Sequence, residues 1–146
     1  MKIKIILQEV EIDKGNHLIS NISINGVHGK MIIDSGASET IIDKHSLFKF
    51  SLDKHKKLNE DKRSLGIGKE KIKSHNLVVE RFVIENDRFN GFGLNNQLLS
   101  CISLDSLREA YLMLGHEEVD GIIGSDILKK YKAVINYDTK VMELNI

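Results

Sequence analysis

The first third of the chain is patterned as β-structure. Ile3 to Val10 is apolar and β-branched enough for a strand, and His17 to Ile24 carries Ile19, Ile22 and Ile24 along a second. Asn25-Gly26 follows, the strongest short hairpin signal, and Val27 to Ile33 returns as a strand ending in Met31-Ile32-Ile33. The return strand stops at Asp34, before a small-residue turn, Ser35-Gly36-Ala37-Ser38, and an apolar pair, Ile41-Ile42. Later the pattern changes. Leu77 to Ile84 reads as a strand, and residues 85–97 are rich in turn formers and read as loop. Leu104, Leu107, Tyr111 and Leu114 recur at helical spacing, with Ser103 or Asp105 as possible caps and Gly115 as the stop. Val119 to Gly124 returns to strand, Asp126 to Tyr131 reads as a short helix, and Ala133–Tyr137 and Lys140–Leu144 form a last pair of strands.

Length and composition narrow the class. A chain of 146 residues is one domain's worth, and folding at that size buries about 68–70% of the surface of the unfolded chain. One core suffices, and the expected organisation is a single domain over residues 1–146. Lys plus Arg is 21 and Asp plus Glu is 21, so the net charge is zero, which argues against a phosphate-tracking nucleic-acid binder. The basic stretch 43–63 is interspersed with Asp43, Asp53, Glu60 and Asp61 and reads as a solvated loop or short helix rather than an interaction patch. Cys101 is the only cysteine, so no internal disulfide forms. It reads as a small buried apolar residue rather than a redox switch. No apolar run approaches the length of a membrane span, and Gln8-Glu9 end the first apolar stretch too early for a signal peptide. The expected location is the cytoplasm, with no membrane partner. Pro is absent, so turns fall to Gly, Asn, Asp and Ser.

Two segments can carry chemistry. In the first, Asp34 emerges from an apolar strand, where a lone carboxylate needs hydrogen bonds or a proton. Ser35, Gly36 and Ala37 form a turn whose backbone N–H groups can receive it. The plainer reading is an aspartate that caps its own turn. In the second, Gly121-Ile122-Ile123-Gly124-Ser125-Asp126, Gly124 lets another backbone segment pass close by. Asp126 reads as a structural helix N-cap. The six histidines show no metal-ligand spacing, no nucleophile elbow or Walker loop is present, and Gly66-Ile67-Gly68 lacks the third glycine of a dinucleotide fingerprint. No metal and no cofactor is expected.

Together and in this order, the two segments resemble the retropepsin-like aspartic peptidases, the single-domain relatives of retroviral proteases. In that family an apolar strand ends in Asp-Thr/Ser-Gly-Ala. A later apolar-apolar-Gly strand is threaded by the loop that bears the aspartate, and a short helix and terminal strand follow. Here the matching residues are Ile32-Ile33-Asp34-Ser35-Gly36-Ala37-Ser38 and Gly121-Ile122-Ile123-Gly124-Ser125-Asp126-Ile127-Leu128, with Ala133 to Asp138 similar to the closing hairpin. The likeness is good over residues 19–43 and 119–144, weak over 64–84 and absent over 85–118, which reads as a family-specific insertion.

The resemblance implies a mainly β fold, a single-lobe closed barrel with short helices completed by two-fold dimerisation. It implies an aspartic endopeptidase in which two Asp34 carboxylates, one from each subunit, activate a water. Two close carboxylates cannot both ionise cheaply and share a proton. A two-lobed enzyme carries both aspartates in one longer chain, whereas this chain has one Asp-Ser-Gly. The second copy must supply the other, and the partners implied are that copy and a peptide or protein substrate. Ser35 would bond across the two-fold and Gly36 would allow close approach. Gly66, Ile67 and Gly68 are the candidate flap over the substrate, against a tight loop with no ligand role. The terminal strands, 140–146 and 1–10, are expected at the dimer interface. The competing reading keeps the fold as a catalytically weak or inactive peptide-binding or dimerisation module, since an intact motif is necessary and not sufficient for turnover.

Overall fold

The computed structural model describes residues 1–13, 15–54, 59–64, 71–86 and 91–146. Eleven strands are β1 (Lys2–Ile6), β2 (Gln8–Ile12), β3 (Gly15–Ile24), β4 (Val27–Ile33), β5 (Ile41–Asp43), β6 (Asn59–Ser64), β7 (Lys71–Glu85), β8 (Gly91–Ile102), β9 (Gly121–Ile123), β10 (Val134–Asn136) and β11 (Val141–Asn145). Two helices, α1 (Asp105–Met113) and α2 (Ser125–Lys130), and a 3-10 turn over Lys44–Ser46 complete the described elements.

Six strands close into a barrel. The ladder runs β3–β4–β9–β5–β8–β7, and β7 pairs back onto β3 through Ile22↔Ile84 and Ile24↔Phe82. Closure leaves the ring without edges, with β2 extending it beside β3 and β6 beside β7. The β3–β4 turn is the one Asn25-Gly26 predicts: Ile24 faces Val27, and both turn residues take positive φ, 48° and 86°. A second sheet, ordered β1–β11–β10, pairs the two ends of the chain, Lys2 facing Asn145.

Strand alternation gives the ring two apolar faces. Met31 on β4 lies in the main core with Ile22, Phe82, Ile84, Leu99 and Ile123, while its neighbour Ile32 turns to a second cluster with Val10, Ile19, Tyr111 and Val119. Tyr111, from α1, is fully buried there, so the helix covers the face opposite the main core. Ile5, Met142 and Leu144 join the terminal sheet to the main core, while Ile6, Val134, Tyr137 and Ile146 remain exposed.

Several expectations change. The single strand expected at Ile3–Val10 breaks at Leu7 into β1 and β2, which enter different sheets. Residues 91–97, expected as loop, belong to β8, which pairs with β7 and β5 inside the ring. Its buried Phe92 and Leu94 alternate with Gly93 and Asn95, a half-buried strand whose polar side outweighs its apolar side in composition. The segment 85–118 is therefore part barrel and part helical cover. Within 43–63, expected without a strand, β6 pairs antiparallel with β7. α1 takes no side-chain cap from Ser103 or Asp105. The N-cap residue is Leu104, whose N–H donates to Asp43 Oδ1 at 3.0 Å, and Gly115 ends the helix as expected. Cys101 is fully buried. Among the described residues no helix is long and apolar enough to cross a membrane.

Candidate active site

β9 is held between β4 and β5, and this places the two motif segments together. It runs parallel to β4, with Ile32↔Ile122 and Ile33↔Ile123, and antiparallel to β5, with Ile41↔Ile122. The loop 34–40 joining β4 to β5 must therefore cross the end of β9. It does so over Gly124: a Cβ there would meet the Glu39 carbonyl oxygen at 2.5 Å and that of Ala37 at 2.8 Å. Only hydrogen fits. The crossing is sealed by Ser125 N–H, which donates to Ala37 O at 2.7 Å.

Asp34 sits at the start of this loop. Its N–H donates to Ile123 O at 3.0 Å, continuing the β4–β9 ladder by one residue. Its side chain turns back, and Oδ1 accepts from Gly36 N–H at 2.9 Å, while its carbonyl accepts from Ala37 N–H at 3.2 Å. The aspartate does cap its own turn, and the same geometry leaves Asp34, Ser35 and Gly36 exposed on one chain. A cavity of ≈ 360 Å³ opens beside Asp34 and Ser35, walled by Ile32, Ile33, Ile122 and Leu107, with His17 and Tyr137 on its sides.

Thr40 and Asp126 lock the far end of the loop. Thr40 is fully buried, and its Oγ1 accepts from Gly124 N–H at 3.1 Å. The same hydroxyl donates to Asp126 Oδ1 at 2.7 Å, and Thr40 N–H donates to Oδ2 at 3.0 Å. This corrects the N-cap reading of Asp126. The cap position falls on Gly124, and Asp126 lies in the first turn of α2, where its carboxylate also accepts from its own neighbour Ile127 N–H at 2.8 Å. Its role is structural, directed at the loop more than at the helix end. Glu39 accepts a hydrogen bond from Ser100 Oγ on β8, adding a tie to the strand next to β5.

The structure thus brings together Asp34, Ser35, Gly36, Ala37, Ile122, Ile123 and Gly124. Gly66, Ile67 and Gly68 lie outside the described residues. Thr40, His17 and Leu107 were not legible as site residues. Thr40 has the sequence signature of any strand-opening threonine, and His17 and Leu107 reach the cavity only because α1 folds over β3.

Other charged groups are already engaged. Asp43, fully buried, accepts from Arg108 Nη1 at 2.6 Å. The Arg108 guanidinium also holds the Asp105 carboxyl below its ordinary range, and bonds to Asp105 and Asp43 raise its own pKa further. A larger cavity, ≈ 480 Å³, excludes the aspartate loop. Two ion pairs line it: Lys49 with the buried Asp120 at 2.9 Å, and Lys30 with Glu117 at 2.9 Å, which lowers the Glu117 pKa. Among the described residues no group of three His, Cys, Asp or Glu could hold a metal ion.

Comparison with known proteins converges on the same segments. A family model described as aspartyl protease matches residues 20–127. A search of curated proteins finds no match. Among solved structures, a retropepsin-like aspartic protease from Rickettsia conorii is 18% identical, covers 99% of this chain and 89% of its own, and superposes with a TM-score of 0.59. The retroviral protease-like domain of Ddi1 from Leishmania major is 18% identical, covers 88% of this chain and 87% of its own, with a TM-score of 0.55. At this identity the two structures speak for the fold.

Proposed function

Because the chain belongs to the retropepsin-like aspartyl protease family, we propose that it is an aspartic endopeptidase whose active centre forms between two copies. The observation that carries this reading is the placement of Asp34. One carboxylate per chain is presented at an exposed loop tip, held in orientation by Gly36 N–H, beside a cavity lined by both aliphatic and polar side chains. A buried structural aspartate, such as Asp43 or Asp120, is instead saturated with donors.

Two Asp34 side chains brought together by a two-fold axis would share one proton, because a second negative charge at that distance is costly. The ionised member takes a proton from water as it attacks the scissile carbonyl. The protonated member donates to the carbonyl oxygen, and a proton then passes to the leaving nitrogen. The pair titrates as a unit. No covalent enzyme intermediate forms. Exposed Ser35 and Gly36 would sit at the two-fold, and exposed Ile6, Val134 and Ile146 on the terminal sheet would supply apolar interface. The candidate flap residues Gly66, Ile67 and Gly68 belong to the same reading, as does the single domain over 1–146. The buried lone cysteine fits a reducing compartment such as the cytoplasm.

The test is cleavage of an unfolded protein substrate from about pH 3 to pH 7, comparing wild type with Asp34→Asn. Acid-favoured cleavage lost in the variant supports the peptidase. Tight peptide binding without cleavage in either protein would favour the binding module instead. Sedimentation adds the second arm, where a strict monomer at high concentration would sink the shared centre.

A further inference from the structure

His17 faces the cavity beside Asp34, and α1 fixes how it does so. Its Nδ1 lies 2.7 Å from the Tyr111 hydroxyl, with the two rings stacked at 5.8 Å between centroids. Tyr111 is fully buried, and among the described residues this is the hydrogen bond its hydroxyl makes. A buried hydroxyl must place its hydrogen, so Tyr111 O–H donates to Nδ1. The imidazole then carries its own hydrogen on Nε2. A second proton on the ring would reverse the bond to Tyr111 and leave that Nε2–H in place. In both charge states the ring therefore keeps one free polar atom, and that atom is a donor.

The cavity that His17 lines is mixed, with Asn16, Asp34, Ser35 and Tyr137 beside its aliphatic residues. Ile32, Ile122 and Leu107 wall the cavity, and its ≈ 360 Å³ has room for a long side chain. A donor next to the Ile32, Ile122 and Leu107 side chains rewards an apolar stem with an acceptor tip. It penalises a hydrocarbon of equal length, which would leave Nε2–H without a partner, and an ammonium, which would set donor against donor.

We propose that His17 is a specificity-determining residue that selects glutamine or glutamate in the substrate segment lying beside Asp34. This rests on the peptidase reading for the cavity being a substrate site, but its readout does not require turnover.

Short peptides, varied at one position at a time among Gln, Glu, Met and Lys, are titrated calorimetrically into the Asp34→Asn protein. The same peptides are offered to wild type for cleavage. At one position the Gln or Glu peptide should bind about tenfold more tightly than its Met counterpart, and Lys should bind most weakly. His17→Phe should melt lower, because the buried Tyr111 O–H loses its acceptor, yet keep Met-peptide affinity and bring the Gln-to-Met ratio to about one. His17→Gln, which can accept from Tyr111 and still donate, should restore part of the ratio. Equal affinity for Gln and Met peptides at every position, preference for Lys, a ratio unchanged in His17→Phe, or no binding of any peptide overturns the assignment. If wild type cleaves nothing while the ratio behaves as expected, the peptidase reading fails and the role of His17 stands.

Discussion

Thr40 gives both of its donors to the carboxylate of Asp126, N–H at 3.0 Å and Oγ1 at 2.7 Å, and that hydroxyl accepts in turn from Gly124 N–H. One side chain thus joins the end of the aspartate loop, the end of β9 and the start of α2. Thr40→Val keeps the shape and removes the hydroxyl, leaving the buried Gly124 N–H without its partner. A loss of about 2 kcal/mol is expected, read as a lower urea midpoint at unchanged slope.

Gly124→Ala is the harsher change. The added methyl would lie 2.5 Å from the backbone oxygen of Glu39, with no flexible side chain to yield. Overpacking against backbone should cost about 3 kcal/mol or more. Thermal melting of the variant should fall well below wild type, and a melt within a degree or two would show that the loop can shift aside.

A shared centre makes a mixing prediction. Asp34→Asn keeps an oxygen to accept from Gly36 N–H, and the residue is exposed, so stability should change by less than about 0.5 kcal/mol. Co-refolded in equal amounts with wild type, it should leave about one quarter of the wild-type activity, because only matched wild-type pairs carry two aspartates. Retention of about half would indicate that each chain works alone.

Arg108 anchors α1 to the barrel through the fully buried Asp43 carboxylate. Arg108→Met removes the cation and strands the carboxylate. A destabilisation of about 3 kcal/mol is expected, measurable by urea denaturation, and replacing both residues with apolar ones of similar volume should recover much of it.

Burial pushes the Tyr111 hydroxyl up to about 12 from an ordinary value of 10.0. The neutral form is favoured in the folded state, so this contribution is whole below pH 10 and drains away as pH rises toward 12. The slope is about 1.4 kcal/mol per pH unit. Urea midpoints measured from neutral pH upward should fall across that window in wild type and fall less in Tyr111→Phe.

The β3–β4 hairpin, with its Asn25-Gly26 turn, and the helix over 105–113 were legible because periodicity and turn chemistry act locally. The pairing of Asp34-Ser35-Gly36 with Ile122-Ile123-Gly124 was legible only through the resemblance of the two segments, in that order, to the retropepsin-like peptidases; by itself Gly124 signals a close backbone approach without naming its partner. β8 was not legible. Gly91, Gly93, Asn95 and Asn96 mark a turn by composition, and only the alternation of Phe92 with Leu94 signals a strand. Asp43 and Asp120 give no local sign of being buried, because their partners Arg108 and Lys49 lie far along the chain. Asp126 illustrates the same limit: its position suits a helix cap, and its bonds go to a residue 86 places earlier.

The insertion of β9 between β4 and β5 has a consequence for biosynthesis. Residues 31–43 cannot complete their ladders until Gly121–Ile123 has left the ribosome. A nascent chain holding three quarters of the sequence therefore has an open seam lined with isoleucine, a surface that invites chaperones or aggregation until β9 slots in.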